Sequence, residues 1–169
     1  MIGDIKPDAL KTTTNELKKR HEDVEVHGVE LDTSKEDSVQ SAVDQTVKRF
    51  GRLDIAINNA GISGSGLQTA EERFSEWQKV MNVNLSGVWL CQRAQIRQML
   101  KQEPLDPPPR GSRGVIVNTA SMLGLVASSP SSGACAYTAS KHGKVLERSN
   151  LEGYWLMQRF DSGHGTHED

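Results

Sequence analysis

The stretch LDIAINNAG, residues 53–61, decides the fold of this chain. Residues 53–57 form a short and mostly apolar run, with Gly51 just before it and an Asn-Asn-Ala-Gly turn after it. Such a run predicts a β-strand that is covered on both faces, and strands of this kind belong to parallel sheets. Parallel neighbours need a long crossover, usually a helix, so we expect helices on both sides of this stretch.

Downstream, a long helix is predicted from a single stripe of mostly apolar residues at helical spacing. The stripe comprises Trp77, Val80, Met81, Asn84, Val88, Cys91, Gln95 and Met99. Residues 114–119 (GVIVNT) then predict another buried strand, and Ser121 lies just past its end. Residues 137–148 predict a further helix, which Gly143 weakens by about 1 kcal/mol relative to Ala.

Upstream, residues 24–31 (VEVHGVEL) alternate apolar and polar and predict a strand. A helix follows, with a capping box formed by Thr33 and Glu36, and runs to the glycine before the stretch quoted above. Residues 8–20 predict a helix, and residues 1–5 the end of a strand. The resulting alternation of strands and helices predicts a doubly wound, parallel α/β sheet in one domain.

The composition excludes several classes of protein. Across 169 residues, 20 Lys and Arg face 22 Asp and Glu, and the net charge of -2 is mixed along the chain, which argues against nucleic acid or an anionic membrane as a partner. No apolar run approaches the roughly 18 residues of a membrane span, and the N-terminus has no targeting pattern. Cys91 and Cys135 sit in apolar surroundings without metal-ligand spacing and are expected to be buried thiols. We therefore expect a soluble, cytoplasmic protein.

Tyr137 and Lys141 are the first candidates for chemistry. Their spacing of four places both side chains on one face of a helix, one turn apart. An ammonium beside a phenol favours the phenolate and would lower the phenol pKa from about 10 towards neutrality. A tyrosine then becomes a general acid or base. A solvated helix pair would show the same spacing, so the pattern alone leaves both interpretations open.

Further candidates lie at the carboxyl ends of the predicted strands, where ligands bind in open α/β sheets. Ser121 could donate a hydrogen bond to a substrate oxygen, or could simply lead a loop. Asn84 lies on the apolar stripe and must be hydrogen-bonded, either within a site or from helix to helix. Residues 58–61 (NNAG) combine small residues that let a flat ring approach with amides that can tie neighbouring strands, although alone they would be taken for a turn.

Together these motifs resemble the short-chain dehydrogenase/reductase family. They are NNAG (58–61), NVNL (82–85), NTAS (118–121) and YTASK (137–141), in the family's order. The resemblance covers about residues 1–143. It implies that Tyr137 exchanges a proton with the substrate oxygen, that Lys141 assists it and binds the nicotinamide ribose, that Ser121 orients the substrate, and that Asn84 holds a water in the proton relay.

The resemblance also implies a nucleotide site. Asp32 and Thr33 would contact the adenine, and Asn58, Ala60 and Gly61 would border the nucleotide. Asp4 would close a strand beside the adenosine ribose, where a carboxylate accepts hydrogen bonds from both hydroxyls and repels a 2′-phosphate, so NAD is predicted over NADP. A solvated aspartate opening a loop is the alternative for Asp4.

The chain also departs from the family. It begins at what resembles the second strand, and the glycines after residue 60 lack the G-x-G-x-x-G spacing of the pyrophosphate turn. We therefore expect an incomplete Rossmann-like sheet without its first strand–helix unit and its C-terminal strands: a partial domain over 1–149 and a divergent, poorly ordered tail over 150–169. In that tail His164 and His167 are expected to be solvated rather than metal ligands. Residues 128–133 (SSPSSG) lengthen the loop before Tyr137.

The predicted function is oxidation and reduction between a secondary alcohol and a ketone, with NAD as the cofactor, a small-molecule substrate and no metal. The resemblance makes a homo-oligomer plausible. The alternative is an inactive, truncated member of the family that acts through protein contacts, because the pyrophosphate turn is missing. A third possibility is that the chain is not stably folded, because a missing central strand would leave backbone groups and apolar faces of its neighbours uncovered.

Overall fold

Strands and helices alternate along the chain, as the sequence predicts. The computed structural model describes residues 1–105, 112–127, 129, 133–145 and 154–159. The strands are β1 (Ile2–Asp4), β2 (Gly28–Glu30), β3 (Ile55–Asn58), β4 (Gly114–Thr119) and β5 (Tyr154–Arg159). The helices are α1 (Pro7–Arg20), α2 (Glu36–Phe50), α3 (Phe74–Met81), α4 (Gly87–Met99) and α5 (Cys135–Val145). A π-helical turn (Asn82–Ser86) joins α3 to α4, and a 3-10 turn (Met122–Gly124) follows β4.

The strands form two separate parallel sheets. One contains β1 and β2, and the other has the order β3-β4-β5. The predicted α/β class, parallel pairing and incompleteness of the fold are confirmed. The sequence alone assigns residues 154–159 to a poorly ordered tail, and here the structure corrects it, because these residues form β5 beside β4. Residues 150–153 and 160–169, with the two histidines of the tail, lie outside the described residues.

Helices α2 and α4 pack together beneath both sheets. Val39 and Val43 of α2 form a buried cluster with Cys91 and Ala94 of α4. The partly buried Leu31, Leu53 and Leu90 pack against this cluster, so it joins the end of β2 to the start of β3. A second cluster, formed by Ala56, Met99 and Ile116, fixes β3 and β4 on α4. Within the described ranges no helix is long and apolar enough to cross a membrane.

The predicted start of α2 is wrong, although its end is confirmed. The helix begins at Glu36 with Lys35 as its N-cap, and no side chain caps it. Thr33 therefore lies outside the helix, and the capping box does not form. Gly51 ends the helix in the left-handed conformation (φ 82°), which glycine adopts without steric cost. Likewise β2 covers only three of the eight residues predicted for it.

The burial of β3 and of one cysteine also differs from prediction. Ala56 and Asn58 face the core, but Ile55 and Ile57 are each 67% exposed. Helix α4 covers the first pair, whereas the described residues leave the second pair open, so β3 is covered on one face only. Cys91 is buried as predicted, but Cys135 is exposed because it lies in the first turn of α5.

Candidate active site

Tyr137 and Lys141 lie together on α5, as their spacing predicts. The Lys141 Nζ is 5.1 Å from the centroid of the Tyr137 ring, within the range of a cation–π contact. Lys141 is only 4% exposed. Its ammonium donates one hydrogen bond, to the Thr119 carbonyl oxygen at 3.4 Å, at the end of β4. A buried positive charge thus sits against the phenol at the carboxyl end of the sheet.

Ser121 is also buried and follows the same strand. Its Oγ accepts a hydrogen bond from the Leu123 amide at 3.3 Å and so caps the 3-10 turn. Helix α5 packs against this turn, which brings Ser121 and the Tyr137 segment into one region of the molecule. Ser121 is the acceptor in that bond, so the bond does not use its hydroxyl proton.

Asn84 lies in the π-helical turn, and the predicted unbroken helix is corrected there. An α-helix would carry the stripe from Trp77 to Met99 without interruption, but the chain makes one wider turn at Asn82–Ser86. Such turns insert an extra residue and are frequent at functional sites. The turn presents the Asn84 amide to the loop after β3 and to α5 rather than along the stripe alone.

The hydrogen bonds of Asn84 are fully accounted for by the protein. The side chain has no exposed surface. Its Oδ1 accepts from the Ile62 amide at 2.8 Å, and its Nδ2 donates to the Ile62 carbonyl at 2.9 Å and to the Ser140 Oγ at 3.2 Å. The last of these is a helix-to-helix bond, which the sequence left as one of two options. Asn84 therefore fixes the loop after β3 relative to α5.

Ser140 is a site residue that the sequence reasoning missed. It is fully buried, and its Oγ donates to the Tyr137 carbonyl oxygen at 2.7 Å while accepting from Asn84. One hydroxyl thus connects the π-helical turn to the backbone of the tyrosine. A small hydroxyl residue three positions after Tyr137 and next to Lys141 was the available signal, because that spacing places it on the same side of the helix.

The amide of Asn58 ties neighbouring strands, as one of the two interpretations of NNAG predicts. Its Nδ2 donates to the Asn118 Oδ1 at 2.9 Å and to the Gln95 Oε1 at 3.0 Å, and its Oδ1 accepts from the Gln95 Nε2 at 2.7 Å. Asn118 in turn donates to the Gln92 Oε1 at 3.1 Å. The Asn58 side chain therefore points into the protein and joins β3 and β4 to α4.

Gly61 brings the turn after β3 to the same place. A Cβ built on it would lie 3.4 Å from the Asn84 Oδ1 and 4.0 Å from the Lys141 Nζ. The backbone of Ala60 and Gly61 therefore passes beside the groups described above. That Gly61 borders a nucleotide stays a prediction of the sequence.

Asp4, Asp32 and Thr33 occupy the ends of the other two strands. The exposed Asp4 accepts a hydrogen bond from the Lys6 amide through Oδ1, at 2.8 Å, and so directs the chain into α1. The Thr33 carbonyl is close to α4, since a Cβ on Gly87 would lie 2.9 Å from it. Because Gly87 directly follows the turn that holds Asn84, the ends of β2 and β3 lie at the same edge of the molecule.

The Asp32 carboxylate is engaged locally. It accepts from the Ser34 hydroxyl at 2.6 Å and from the Ser34 amide at 3.1 Å, and it pairs with Lys35 at 3.1 Å. The hydrogen bond from the Ser34 side chain, followed by the contact with Lys35, lowers the pKa of Asp32 below its usual value. Asp32 thus shapes the turn before α2. The described residues contain no group of three or more His, Cys, Asp or Glu that could hold a metal ion.

The fold and the site define this chain as a parallel α/β protein that gathers a serine, a tyrosine and a lysine near the carboxyl end of β4. The family model described as short chain dehydrogenase matches residues 1–149. This chain belongs to the short-chain dehydrogenase family. The described fold and the order of the motifs agree with that membership.

Individual relatives are similar over most of this chain. A 3beta-hydroxysteroid dehydrogenase 2 of Eggerthella lenta is 38% identical over 151 residues, which is 89% of this chain and 53% of that protein. A short-chain dehydrogenase/reductase of Burkholderia phymatum, solved in complex with NAD, superposes with a TM-score of 0.77 at 29% identity, covering 94% of this chain and 54% of the other.

The actinorhodin polyketide ketoreductase variant F189W, solved with NADPH, gives a TM-score of 0.72 at 33% identity and covers 85% of this chain and 50% of the other. The chain therefore spans about half the length of these relatives.

Proposed function

We propose that this chain forms the catalytic portion of an oxidoreductase that interconverts a secondary alcohol and a ketone, with Tyr137 as general acid and base. The observation that carries the proposal is the buried Lys141 ammonium against the Tyr137 ring, at the strand end that also presents Ser121. Burying an ammonium costs free energy unless a partner group compensates for its lost hydration. Here its positive charge stabilises negative charge on the phenol oxygen as the proton leaves.

Each residue has one task in this proposal. In the oxidation direction the Tyr137 oxygen takes the hydroxyl proton of the alcohol, and Ser121 donates a hydrogen bond to the same substrate oxygen. A nicotinamide cofactor, when bound, would supply the hydride chemistry. Asn84 and Ser140 keep α5 and the loop after β3 in place. Because the Asn84 side chain is engaged there, the relay water that the resemblance implies would bind the Asn84 backbone.

The residues present fit the nicotinamide and ribose end of such a cofactor. The Lys141 ammonium has three N–H donors. Among the described residues, one of them donates a long hydrogen bond to the Thr119 carbonyl oxygen, so the others remain for ribose hydroxyls. The Gly61 backbone passes beside the Lys141 Nζ without a side chain of its own there. Asp32 and Thr33 would contact the adenine. One relative is solved with NAD and another with NADPH, so the relatives do not fix the preference.

We propose NAD as the preferred cofactor because of Asp4. An exposed carboxylate at the end of β1 can accept hydrogen bonds from ribose hydroxyls and repels a 2′-phosphate. Calorimetric titration of the chain with NAD and with NADP should give the lower Kd for NAD, and Asp4→Asn should narrow the difference. Tighter binding of NADP by the unmodified chain would overturn this preference and favour the view that Asp4 only opens the loop to α1.

The test of the chemistry compares the two tyrosines of the chain. Tyr137→Phe should lower the rate of NAD-linked oxidation of secondary alcohols by about 10²–10⁴-fold, the usual contribution of a general acid or base. Tyr154→Phe, the same chemical change in β5, should retain activity. Equal activity of the two variants would defeat the role of Tyr137.

One observation favours a second candidate, an inactive protein that acts through contacts with other chains. The two sheets are not joined in the described residues, so strand edges are open. A folded circular dichroism spectrum without detectable NAD binding would support this candidate. A cytoplasmic location and a homo-oligomer belong to the main proposal, and cell fractionation and sedimentation velocity test them.

A further inference from the structure

A cavity of about 320 Å³ lies beside α5, and we call it the α5 cavity. Its walls are the loop after β3, the segment that leads from the 3-10 turn to α5, and the first turns of α5 itself. The described residues that line it are Thr69, Ala127, Ser129, Gly133, Ala134, Cys135, Thr138 and Ala139. The volume is at the small end of the range for small-molecule sites, which is about 300–1,000 Å³.

The α5 cavity borders the face of α5 that carries Tyr137 and Lys141. The Ala134 carbonyl accepts from the Thr138 amide at 2.8 Å, so both lining residues belong to the first helical turn. Ala134 lies three positions before Tyr137, and Thr138 lies three positions before Lys141. Residues three apart are neighbours on a helix surface. A molecule with one group in the cavity can therefore place another group at the Tyr137 side chain.

The lining of the α5 cavity is made of small residues, and none of the described ones is charged. Five of the eight are glycine, alanine or cysteine, and the other three are threonine or serine. The surface is therefore mostly hydrocarbon. An apolar group gains free energy when it leaves water for such a surface. A carboxylate or an ammonium would instead lose its hydration without a compensating partner.

The two segments that bring their strand ends to this region carry no charged residue at all. They are residues 55–70, from β3 into the loop that follows, and residues 114–140, from β4 into α5. Charged residues make up 25% of the whole chain, so two long uncharged runs are a local feature of this region. The second run ends at Lys141, whose ammonium lies against the Tyr137 ring. That ammonium repels a cationic substrate, and an anionic substrate would compete with the phenol oxygen for it.

We propose that the substrate is a neutral secondary alcohol or ketone with one bulky apolar substituent, that this substituent lies in the α5 cavity, and that Ala139 limits its size. The inference rests on the proposed function, because it takes the substrate oxygen to meet Tyr137. Ala139 lines the cavity but is two positions from Tyr137. Residues two apart on a helix do not face each other, so a longer side chain at position 139 fills the cavity without contacting the phenol.

The first test measures binding without chemistry. The whole chain, with ¹³C-labelled alanine methyl groups, is titrated by NMR with 2-decalone, a neutral bicyclic ketone. We expect saturable shifts of the Ala127, Ala134 and Ala139 methyl signals, while the signal of the exposed Ala9 on α1 stays fixed. The same ketone with a carboxylate on its second ring should bind at least about tenfold more weakly, because the carboxylate has to lose its hydration.

The second test changes the size of the α5 cavity. Ala139→Leu reduces it, and Ala9→Leu makes the same change on α1; leucine suits a helix, so both variants should fold. Ala139→Leu should weaken 2-decalone binding and lower kcat/KM for 2-decalol at least about tenfold, and leave kcat/KM for 2-butanol within about threefold, because added methylenes exclude only the larger group. Ala9→Leu should match the unmodified chain. If Ale139→Leu fails to fold, the methyl titration still decides.

The outcomes separate this inference from the proposed function. Turnover of 2-butanol without binding of 2-decalone would overturn the inference and leave the function standing. So would an equal loss of kcat/KM for both alcohols in Ala139→Leu, or tighter binding of the ketone that carries a carboxylate. Shifts of the three alanine methyl signals without turnover of either alcohol, with NAD or NADP present, would instead refute the proposed function and with it the role of the cavity as a substrate site.

Discussion

Asn84 should be the most sensitive polar residue of the site to substitution. Asn84→Ala removes three hydrogen bonds in one step and leaves the Ile62 amide and carbonyl without their partner. Each partly buried polar group left unsatisfied costs about 1–3 kcal/mol. Discounting for the solvent that reaches Ile62, we expect the free energy of unfolding to fall by about 2–4 kcal/mol. The total free energy of unfolding of a domain is only about 5–15 kcal/mol, so this loss is a large part of it.

The matched control is Asn82→Ala, which makes the same change in the same π-helical turn at an exposed position. Exposed substitutions of this kind change stability by at most about 0.5 kcal/mol. Urea unfolding of the three proteins, followed by circular dichroism, gives both differences. If Asn84→Ala is as stable as Asn82→Ala, the amide does not hold the loop to the helix, and the assignment of Asn84 as the link between them is wrong.

Three other expectations follow from single contacts. Gly133→Ala should lower the free energy of unfolding by about 1–3 kcal/mol more than Gly66→Ala, as measured by urea unfolding. Both glycines have a positive φ, so the backbone strain is shared. However, a Cβ at Gly133 would lie 2.0 Å from the Gly66 oxygen, whereas a Cβ at Gly66 would have no atom within 4 Å. Ser140→Ala should slow turnover with the pH profile unchanged, and Ser140→Thr should restore part of the loss; full activity of Ser140→Ala would contradict its positioning role. An NMR pH titration should find the Asp32 pKa below its usual value, and Ser34→Ala should raise it. The ionised carboxylate stabilises the fold at pH values above the usual pKa, and this stabilisation is lost as the pH falls through the lowered pKa.

The sequence predicts best where one local interaction decides the outcome. Residues 114–117 are apolar, and residues 114–119 form β4 with the predicted bounds. Gly51 ends α2 because the left-handed conformation at that point favours glycine. The spacing of Tyr137 and Lys141 is likewise local, since it needs only that the segment be helical. These features depend on neighbours within about one helical turn.

Prediction fails where distant residues decide. The π-helical turn exists because Asn84 bonds to Ile62 and Ser140, which lie 22 and 56 positions away in sequence. The exposure of Ile57 depends on which element covers that face of β3. Its apolar side chain indicates only that the face can be covered and does not identify the covering element. Capping at Thr33 was predicted from a short motif, but the turn built around Asp32 moved the start of the helix to Glu36.

The division of the molecule into two sheets separates the two halves of the proposed chemistry. Ser121, Tyr137 and Lys141 belong to the half built on β3 and β4, where amides from β3, β4 and α4 form one buried network. Asp4 belongs to the other half, which is held to the first mainly through aliphatic contacts between α2 and α4. Directional hydrogen bonds fix geometry more tightly than aliphatic contacts do, so the proton-transfer groups are set by the first half alone. The position of Asp4 relative to that site is instead set by the packing of α2 against α4.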